Sequence, residues 1–443
     1  MKIADLYRVF QQSDGVSKDS RSTAGRIYFA LRGERFDGND FALSALEQGA
    51  SAVVVAADSG VAQQAEVASF VEAGKVFVAE DPLKTLQDLA RYHRSRFRIP
   101  VIALTGTNGK TTTKELIRTA LSAKYRVTAT QGNLNNHIGV PLTLLEINSD
   151  TEIAIVEMGA SAPKEIALLA SIALPTFGLI TNVGTAHILG FGSFEGVQQA
   201  KGELYDYLQR TADLAFVNVA NPHLQEMARM RPDLRVQPYS LDLAGARVAP
   251  ITWDQPFLRL SFEDGSELST KLVGHYNADN VMAALAVADY FGVPRQQARA
   301  AVAAYEPANN RSQLLKTDKN LLIVDAYNAN PSSMAAALES FSRIGSPNKG
   351  VILGDMRELG VVSEVEHRKV MERVAGMDLK AVWFVGELFG HLNQTWSNPA
   401  IPVRFFANVE ALKQHLKEAT TQQMTWLIKG SNGIGLQQII QDL

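Results

Sequence analysis

The chain has 443 residues, which is too long for one ordinary domain, so two to four domains are expected. A net charge of −3 and the lack of a long Lys/Arg cluster argue against a nucleic-acid partner. The complete lack of cysteine excludes disulfides and thiolate catalysis and favours a reducing cytoplasm. The N-terminal segment has no apolar signal core and Pro175 interrupts the longest apolar window, so no membrane insertion is expected.

Short apolar segments typical of buried strands alternate with segments of helical length along nearly the whole chain. The predicted strands are, in chain order, RIYFAL, SAVVVA, KVFVA, PVIALT, EIAIVE, TFGLIT, LAFVNV, NLLIVDA, KGVILG, AVWFVG and TWLIKG. This alternation indicates an α/β fold whose mostly parallel sheets are covered by helices on both faces. One interruption, FLRLSFEDGSELSTKL, has an Asp264-Gly265 turn and predicts a β-hairpin.

Breaks in this pattern divide the chain into three predicted domains. Residues 1–98 form a smaller α/β domain, and residues 99–307 form a central domain that begins at a phosphate-loop strand. Residues 308–443 have apolar strands with helices between them, which predicts a Rossmann-like domain.

The segment ALTGTNGKTTTKE contains the pattern G-x-x-G-K-T, formed by Gly106, Gly109, Lys110 and Thr111. Glycines let several backbone N–H groups face one anion, and the following helix adds its positive dipole end. Lys110 can reach the β- and γ-phosphates, and the Thr111 hydroxyl can ligate Mg²⁺. The pattern predicts nucleotide binding. The full phosphate loop has a glycine where Leu104 stands, so a plain glycine turn is the alternative interpretation.

A metal ion at this loop needs a second protein ligand. Glu157 ends the predicted strand EIAIVE, a position like that of a Walker-B carboxylate, although an ordinary carboxylate at a strand end is the alternative. Guanine specificity is not predicted, because the Asn348-Lys349 dipeptide is followed two residues later by Val351 instead of an aspartate.

Several motifs together resemble the Mur ligases, the ATP-dependent amide-forming enzymes of peptidoglycan precursor synthesis. In the central part they are TGTNGKTTTKE, GNLNNHIGVPLTLL, EMGAS, ITNVGTAHILGFGS and AKGELY. The flanking parts contribute DSRSTAGRIYFALRGERFDGNDF, DAYNANPSSM, GDMRELG and KGS, so the resemblance covers essentially the whole chain. In that family the phosphate loop usually lacks the first glycine.

The resemblance implies an ADP-forming ligase that joins D-alanyl-D-alanine to UDP-N-acetylmuramoyl tripeptide. ATP would phosphorylate the terminal carboxylate of the tripeptide, and the dipeptide amine would attack the resulting acyl phosphate. The implied partners are these two substrates and ATP with two Mg²⁺ ions. A cytoplasmic monomer is expected.

The resemblance also assigns residues that bind the nucleotide. They are Thr107, Asn108, Gly109, Lys110, Thr111, Thr112, Asn277, Asn280, Arg311 and Asp325. Asn277 and Asn280 match the adenine-side asparagines of the family, although asparagine also caps helices well. Arg311 matches a nucleotide-facing arginine, and Asp325 matches a ribose-binding carboxylate.

Lys110, His187 and Lys201 are the catalytic residues that the resemblance implies. The implied metal ligands are Thr111, Glu157, His187 and Lys201. Lys201 matches a lysine that the family carries as a carbamate, which turns a cation into an anionic oxygen ligand. On the residues alone, Lys201 is a solvated helix lysine and His187 is a loop histidine without a partner.

The implied substrate-binding residues come from several segments. They are Ser20, Arg21, Asp37, Asn133, Asn136, Tyr327, Asn328 and Asn330. Tyr327, Asn328 and Asn330 are expected to face the dipeptide, although a capped strand-to-helix turn before Pro331 is the alternative interpretation. Asn39 stands where the family usually has histidine, a departure that affects one uracil-side contact.

Two other functions stay open from the sequence. A ligase that adds a single amino acid has the same chemistry, but its D-N-P-R-like motif is absent here. A phosphate-loop ATPase or kinase would turn over ATP without either substrate. It would leave both flanking domains and the His187 and Lys201 positions unexplained. A non-catalytic binding protein is disfavoured, because no phosphate-loop residue is missing.

Overall fold

The computed structural model describes residues 2–252, 254–307, 311–396, 398–418 and 422–443. Three parallel or mostly parallel sheets and one small antiparallel sheet follow one another along these ranges. Helices cover the larger sheets, so the predicted α/β class is confirmed. No helix within the described ranges is both long and apolar enough to cross a membrane.

The first sheet is parallel, with its strands in chain order. Its strands are β1 (Val16–Ser17), β2 (Ile27–Phe29), β3 (Ala52–Ala56) and β4 (Val76–Ala79). Its helices are α1 (Ile3–Phe10), α2 (Ala42–Glu47), α3 (Val67–Glu72) and α4 (Pro82–Ser95). β3 is buried throughout because Val53 packs with residues of α2 and α3 on one face, and Val54 packs with residues of α1 and α4 on the other.

The second sheet is also parallel and has the order β10-β9-β8-β5-β7-β6. These strands are β5 (Val101–Thr105), β6 (Val127–Ala129), β7 (Ile153–Glu157), β8 (Phe177–Ile180), β9 (Leu214–Asn218) and β10 (Arg235–Tyr239). The helices are α5 (Lys110–Leu121), α6 (Gly139–Leu145), α7 (Glu165–Ala173), α8 (Ile188–Phe191), α9 (Phe194–Thr211) and α10 (Pro222–Arg229). In β5, Ile102 and Leu104 pack with α5, and Ala103 packs with α7 and α9, which explains the continuous apolar run.

A small antiparallel sheet follows, and it contains the predicted hairpin. Its strands are β11 (Ala246–Val248), β12 (Phe257–Phe262) and β13 (Glu267–Val273), followed by α11 (Asn277–Tyr290) and α12 (Arg295–Ala304). β12 and β13 pair antiparallel around the Asp264-Gly265 turn, where Gly265 has φ +77°. α11 and α12 pack against α5, so this segment closes one face of the second sheet.

The last sheet has six strands in the order β14-β15-β19-β16-β17-β18. These strands are β14 (Gln313–Lys316), β15 (Leu321–Asp325), β16 (Lys349–Gly354), β17 (Ala381–Val385), β18 (Val403–Phe406) and β19 (Thr425–Lys429). The helices are α13 (Pro331–Ser342), α14 (Ser363–Ala375), α15 (Glu387–His391) and α16 (Val409–Glu418). Only the β14–β15 pair of this sheet is antiparallel. The predicted Rossmann-like class is therefore confirmed, and the sheet has two strands more than predicted.

A buried arginine joins the first sheet's last helix to the second sheet. Arg94 of α4 donates hydrogen bonds to the carbonyls of Phe97, Ile99, Ala173 and Leu174, at 2.6 to 3.3 Å. The residue is 5% exposed. One apolar core also contains residues of both the first and the second sheet.

Replacing Arg94 by alanine is expected to lower the free energy of unfolding by about 3 kcal/mol, because buried carbonyl groups lose their donor. Urea unfolding followed by circular dichroism measures this loss. Arg91→Ala on the same helix is the matched control, because Arg91 is half exposed and pairs with Asp88. Equal stability of the two variants would contradict a structural role for Arg94.

Candidate active site

A cleft of about 740 Å³ opens where the second and last sheets turn the carboxyl ends of their strands towards each other. Loops after β5, β7 and β8 line one side, and the loop after β15 and the last residue of β19 line the other. The carboxyl edge of a parallel sheet is the usual place for ligand binding in open α/β folds.

Most of the predicted site residues line this cleft. They are Thr107, Asn108, Gly109, Lys110, Thr111, Thr112, Asn136, Glu157, His187, Asn277, Asn280, Arg311, Asp325, Tyr327, Asn328 and Asn330. The structure does not bring five other predicted residues to the cleft wall. They are Ser20, Arg21, Asp37, Asn133 and Lys201.

Leu104 explains the shortened phosphate loop. It is fully buried in β5 and pairs with Leu179 on one side and with Glu157 on the other. The strand therefore continues through the position where a longer loop would already turn. Gly106, with φ +143°, takes the turn instead, and a Cβ there would clash with the Thr181 hydroxyl.

The loop folds back over its own lysine. Gly109 precedes α5 with φ +78°, and a Cβ there would meet Asn280 Oδ1 at 2.7 Å, so glycine is required. Lys110 Nζ donates to the carbonyls of Gly106 at 2.7 Å and Thr107 at 3.1 Å. Burial lowers the pKa of Lys110, and the nearby Glu157 carboxylate opposes this shift. This curled backbone with a lysine inside it suits a polyphosphate.

Glu157 lies directly beside the loop. The Thr111 hydroxyl donates to both its carboxylate oxygens, at 2.9 and 3.2 Å. Asn135 Nδ2 donates to Oε1 at 2.8 Å, and the Glu157 N–H donates to the Thr130 hydroxyl. Glu157 is 1% exposed. The hydroxyl and carboxylate thus form a preorganised oxygen pair at the phosphate loop.

The two candidate adenine-side asparagines hold each other and the loop helix. Asn280 Nδ2 donates to Asn277 Oδ1 at 2.8 Å, and Asn280 Oδ1 accepts from the Thr113 hydroxyl at 2.9 Å. Asn277 Nδ2 donates to the Val273 carbonyl. Neither residue is the N-cap of α11, which is Tyr276, so the simple capping interpretation is wrong.

On the opposite wall, Arg311 stacks on Tyr327 with its guanidinium carbon 3.5 Å from the ring centroid. Within the described ranges, its Nε has no hydrogen-bond partner. Lys429 at the end of β19 is 1% exposed and donates to Asp325 at 2.5 Å and to the Asn328 carbonyl. The lysine therefore fixes the loop that follows β15.

Asn330 contacts the phosphate loop directly. It is the N-cap of α13 and forms a capping box with Ser333, and Pro331 takes the first helical position. Its Nδ2 also donates to Asn108 Oδ1 at 2.8 Å. Ser332 beside it accepts a hydrogen bond from the Thr185 N–H at 2.8 Å. The Asn330 side chain thus contacts both its own helix and the phosphate loop.

His187 has a partner, so the interpretation as a loop histidine without one is wrong. Its Nδ1 lies 2.6 Å from Glu358 Oε2. Burial is the largest influence on the His187 pKa and lowers it, and the Glu358 carboxylate opposes the shift. The residue has φ +51°, which is uncommon for a residue other than glycine.

Lys201 of α9 is not solvated, which corrects the interpretation from the residues alone. It is 2% exposed, and its Nζ donates to the Ala160 carbonyl at 3.3 Å and lies 5.2 Å from the Phe191 ring centroid. Burial, with a smaller contribution from Lys110, lowers its pKa to about 7. The Glu165 and Glu203 carboxylates act in the opposite direction on this pKa but do not cancel the effect of burial.

The predicted uridine-side residues lie in the first domain. Arg21 pairs with Asp19 and is largely exposed. Asp37 pairs with Arg32 at 3.0 Å and accepts from the Asn39 N–H. Asn39 is 3% exposed and is held inside the domain.

Several cleft residues were not predicted. They are Asn135, His137, Glu165, Asn182, Tyr276, Ser332 and Lys429. Asn135 had a signal in the motif GNLNNH, but the motif does not say which asparagine turns towards Glu157. Asn182 follows β8 at the same sheet edge, and its Oδ1 accepts from the Asn108 N–H at 3.0 Å.

Three family models match consecutive parts of the chain. They describe the Mur ligase family catalytic domain at residues 13–94, the Mur ligase middle domain at 104–288 and the Mur ligase glutamate ligase domain at 310–432. The UDP-N-acetylmuramoyl-tripeptide–D-alanyl-D-alanine ligase of Bacillus subtilis (strain 168) is 33% identical over 97% of this chain and 93% of that protein. The chain belongs to the Mur ligase family. The enzyme of the same name from Escherichia coli (strain K12) is 31% identical to this Mur ligase, over 97% and 93% of the two chains.

A solved structure agrees with this assignment. The crystal structure of MurF from Acinetobacter baumannii is 26% identical to this Mur ligase and superposes with a TM-score of 0.84. The alignment covers 100% of this chain and 98% of that one. The multi-domain Mur ligase fold predicted from the motifs is therefore confirmed.

Proposed function

We propose that this Mur ligase uses ATP to join D-alanyl-D-alanine to UDP-N-acetylmuramoyl tripeptide in peptidoglycan precursor synthesis, with release of ADP. The observation that carries the proposal is the cleft in which the phosphate loop faces the loop after β15. A ligase needs a nucleotide and an acceptor in one place. The relatives from B. subtilis and E. coli are named for this reaction and support the choice of substrates.

In the proposed reaction, an oxygen of the tripeptide carboxylate bonds to the γ-phosphorus of ATP, and ADP leaves. The dipeptide nitrogen then bonds to the carbonyl carbon and loses a proton, and phosphate leaves from the tetrahedral intermediate. The two reacting anions repel each other, so the site needs concentrated positive charge. We assign Lys110 and the backbone N–H groups of residues 107–112 to stabilising the transferring phosphoryl group.

Thr111 and Glu157 fit a first Mg²⁺, because this ion usually takes one or two carboxylates and fills its other positions with phosphate and water oxygens. Such an ion would add positive charge beside the phosphates. No group of three or more His, Cys, Asp or Glu within the described ranges is arranged to hold a metal. Substrate oxygens would therefore complete the coordination.

We assign a second Mg²⁺ to His187 and to a carbamate on Lys201. The support is the burial of Lys201, because a buried ammonium without a carboxylate partner costs free energy. A carbamate is anionic, so it would suit a cation-binding site better than the ammonium. Lys201 lies just behind the cleft wall, where Ala160 separates it from the opening.

The substrates would span the three proposed domains, with boundaries after residues 98 and 307. We assign the UDP part to Ser20, Arg21 and Asp37, which lie outside the cleft and so fit a group remote from the reacting carboxylate. Tyr327, Asn328 and Asn330 are assigned to the dipeptide, and Asn133 and Asn136 complete the proposed set of substrate-binding residues.

We further propose a monomer in the cytoplasm. The cleft residues of one chain include both the phosphate loop and the facing loop, so no second copy is needed to complete them. ATP and nucleotide-linked sugars are available in the cytoplasm.

Phosphate release is expected to require ATP, Mg²⁺, UDP-N-acetylmuramoyl tripeptide and D-alanyl-D-alanine together. A phosphate assay with each component omitted in turn measures this requirement. Equal release without the tripeptide nucleotide would favour an ATPase. Efficient replacement of the dipeptide by one amino acid would favour a single-residue ligase.

A further inference from the structure

We propose that Glu358 is a positioning residue that orients the His187 imidazole from the C-terminal domain. The His187 ring belongs to the loop before α8 in the central domain, whereas Glu358 belongs to the loop after β16. The ring would therefore be held in place only while these two domains are in contact. Nothing in the proposed reaction requires Glu358 to touch a substrate.

The atoms of this contact define the state of the ring. His187 Nδ1 lies 2.6 Å from Glu358 Oε2, and an ionised carboxylate can only accept a hydrogen bond. Nδ1 therefore carries the hydrogen, and the lone pair of a neutral ring is left on Nε2. Carboxylates that hold a histidine in this way usually fix its tautomer and its orientation towards a metal.

The loop that presents Glu358 is held by buried groups. The Asp355 carboxylate accepts two backbone hydrogen bonds from the start of α15, each of 3.0 Å. The next backbone N–H donates to His367 Nε2 at 3.0 Å, and the one after it donates to the Ser431 hydroxyl at 2.9 Å. All three side chains are nearly inaccessible to solvent. Glu358 follows directly, so its backbone is preorganised.

Both partners adopt an unusual backbone conformation. His187 has φ +51° and Glu358 has φ +65°, values that residues other than glycine rarely adopt. Such conformations cost free energy and tend to persist at functional sites. An ordinary exposed ion pair contributes little and needs no such backbone. The strain on both sides distinguishes this pair from incidental surface pairs.

The contact also differs in charge from other polar contacts between the two domains. Further polar contacts between these parts of the chain are neutral: Asn108 meets Asn330, the Thr185 N–H meets Ser332, and the Tyr276 hydroxyl meets the Ser312 hydroxyl. Among the described residues, His187–Glu358 is the ion pair that joins residues 99–307 to residues 311–443. Loss of this pair should therefore act on the domain contact and on the histidine together.

The test uses two readouts. The chain has no cysteine, so Met230→Cys directly after α10 and Gln414→Cys on α16, both exposed, can carry a fluorescent donor and acceptor. In the substrate-free protein, Glu358→Ala is expected to shift the distribution towards longer distances. With substrates, it is expected to raise the Mg²⁺ concentration for half-maximal turnover on the order of tenfold.

Two further variants make the result specific. Glu358→Gln should show a smaller change in both readouts, because its amide oxygen still accepts from Nδ1. Glu364→Ala is the matched control, since Glu364 is an exposed carboxylate in the same domain that pairs with Arg368. It should leave both readouts unchanged.

Identical behaviour of Glu358→Ala and Glu364→Ala in both readouts would overturn the proposal. Loss of turnover without a change in distance or Mg²⁺ requirement would overturn it as well, since Glu358 would then act on a substrate. The Mg²⁺ readout rests on the proposed function. The distance readout contains no substrate, so it tests the pair even if the substrates are different.

Discussion

Lys110→Ala is expected to lower turnover at least about a hundredfold, the scale for removing one preorganised charge-stabilising group. The Lys110 ammonium already lies inside the curl of the phosphate loop, on the carbonyls of Gly106 and Thr107. These contacts hold the charge where phosphate oxygens would arrive, so no reorganisation is needed during the reaction. Steady-state phosphate release with all substrates measures the loss.

Arg118→Ala is the matched control for this variant, because Arg118 is a half-exposed cation of the same helix that pairs with Glu115. Its turnover should stay close to that of the unaltered protein. Thr111→Ala should in addition weaken the Mg²⁺ dependence, since Thr111 contacts Glu157. A Lys110→Ala protein within a few-fold of full activity would mean that the loop has only a structural role.

The buried strands could be predicted because a strand covered on both faces must be apolar throughout. The strands absent from the prediction all lie at sheet edges. They are β1, β6, β10, β11, β14 and β18. Edge strands have a partner on one side only, so polar residues are tolerated. β10 has a single buried residue, Tyr239, and contains Pro238, so its sequence lacks a strand pattern.

The active site could be predicted only where its residues are neighbours in the sequence. The phosphate loop is local, since Gly106 to Thr111 carry its chemistry within one turn, and it could be recognised from a few letters. Asn135 and Glu358 meet their partners only through the fold. Their contacts join a loop to a strand end in one case and two domains in the other. No spacing rule connects such residues.

Lys201 illustrates how burial changes an interpretation. A lysine in the helix segment QQAKGELY has no sequence signal that separates a solvated side chain from a buried one. In the structure its amine lies between Ala160 and the Phe191 ring and has a pKa lowered to about 7, mainly by burial. A neutral amine is the form that reacts with CO₂, so the environment favours the proposed carbamate.

This pKa gives the pH dependence a definite sign. Below about pH 6 most of the Lys201 amine would be protonated and unreactive, and above about pH 8 most of it would be neutral. Carbamate formation bonds the amine nitrogen to the CO₂ carbon and releases a proton, so it also increases with pH. Isotopically labelled bicarbonate should therefore give a carbamate NMR signal that increases through pH 7 and is absent in Lys201→Ala.

Lys201→Ala is expected to be nearly inactive, and Lys201→Arg no better, because arginine keeps a positive charge and cannot form this ligand. Glu157, neutral His187 and Thr111 alone offer too little negative charge to hold two Mg²⁺ ions beside two anionic substrates. Formate or acetate should partly restore Lys201→Ala by placing an anionic oxygen in the vacated space. It should not restore Lys201→Arg, whose side chain still fills that space. Near-normal activity of Lys201→Arg, or an unmodified amine at Lys201 in both the intact mass and the electron density of the active enzyme, would contradict the carbamate.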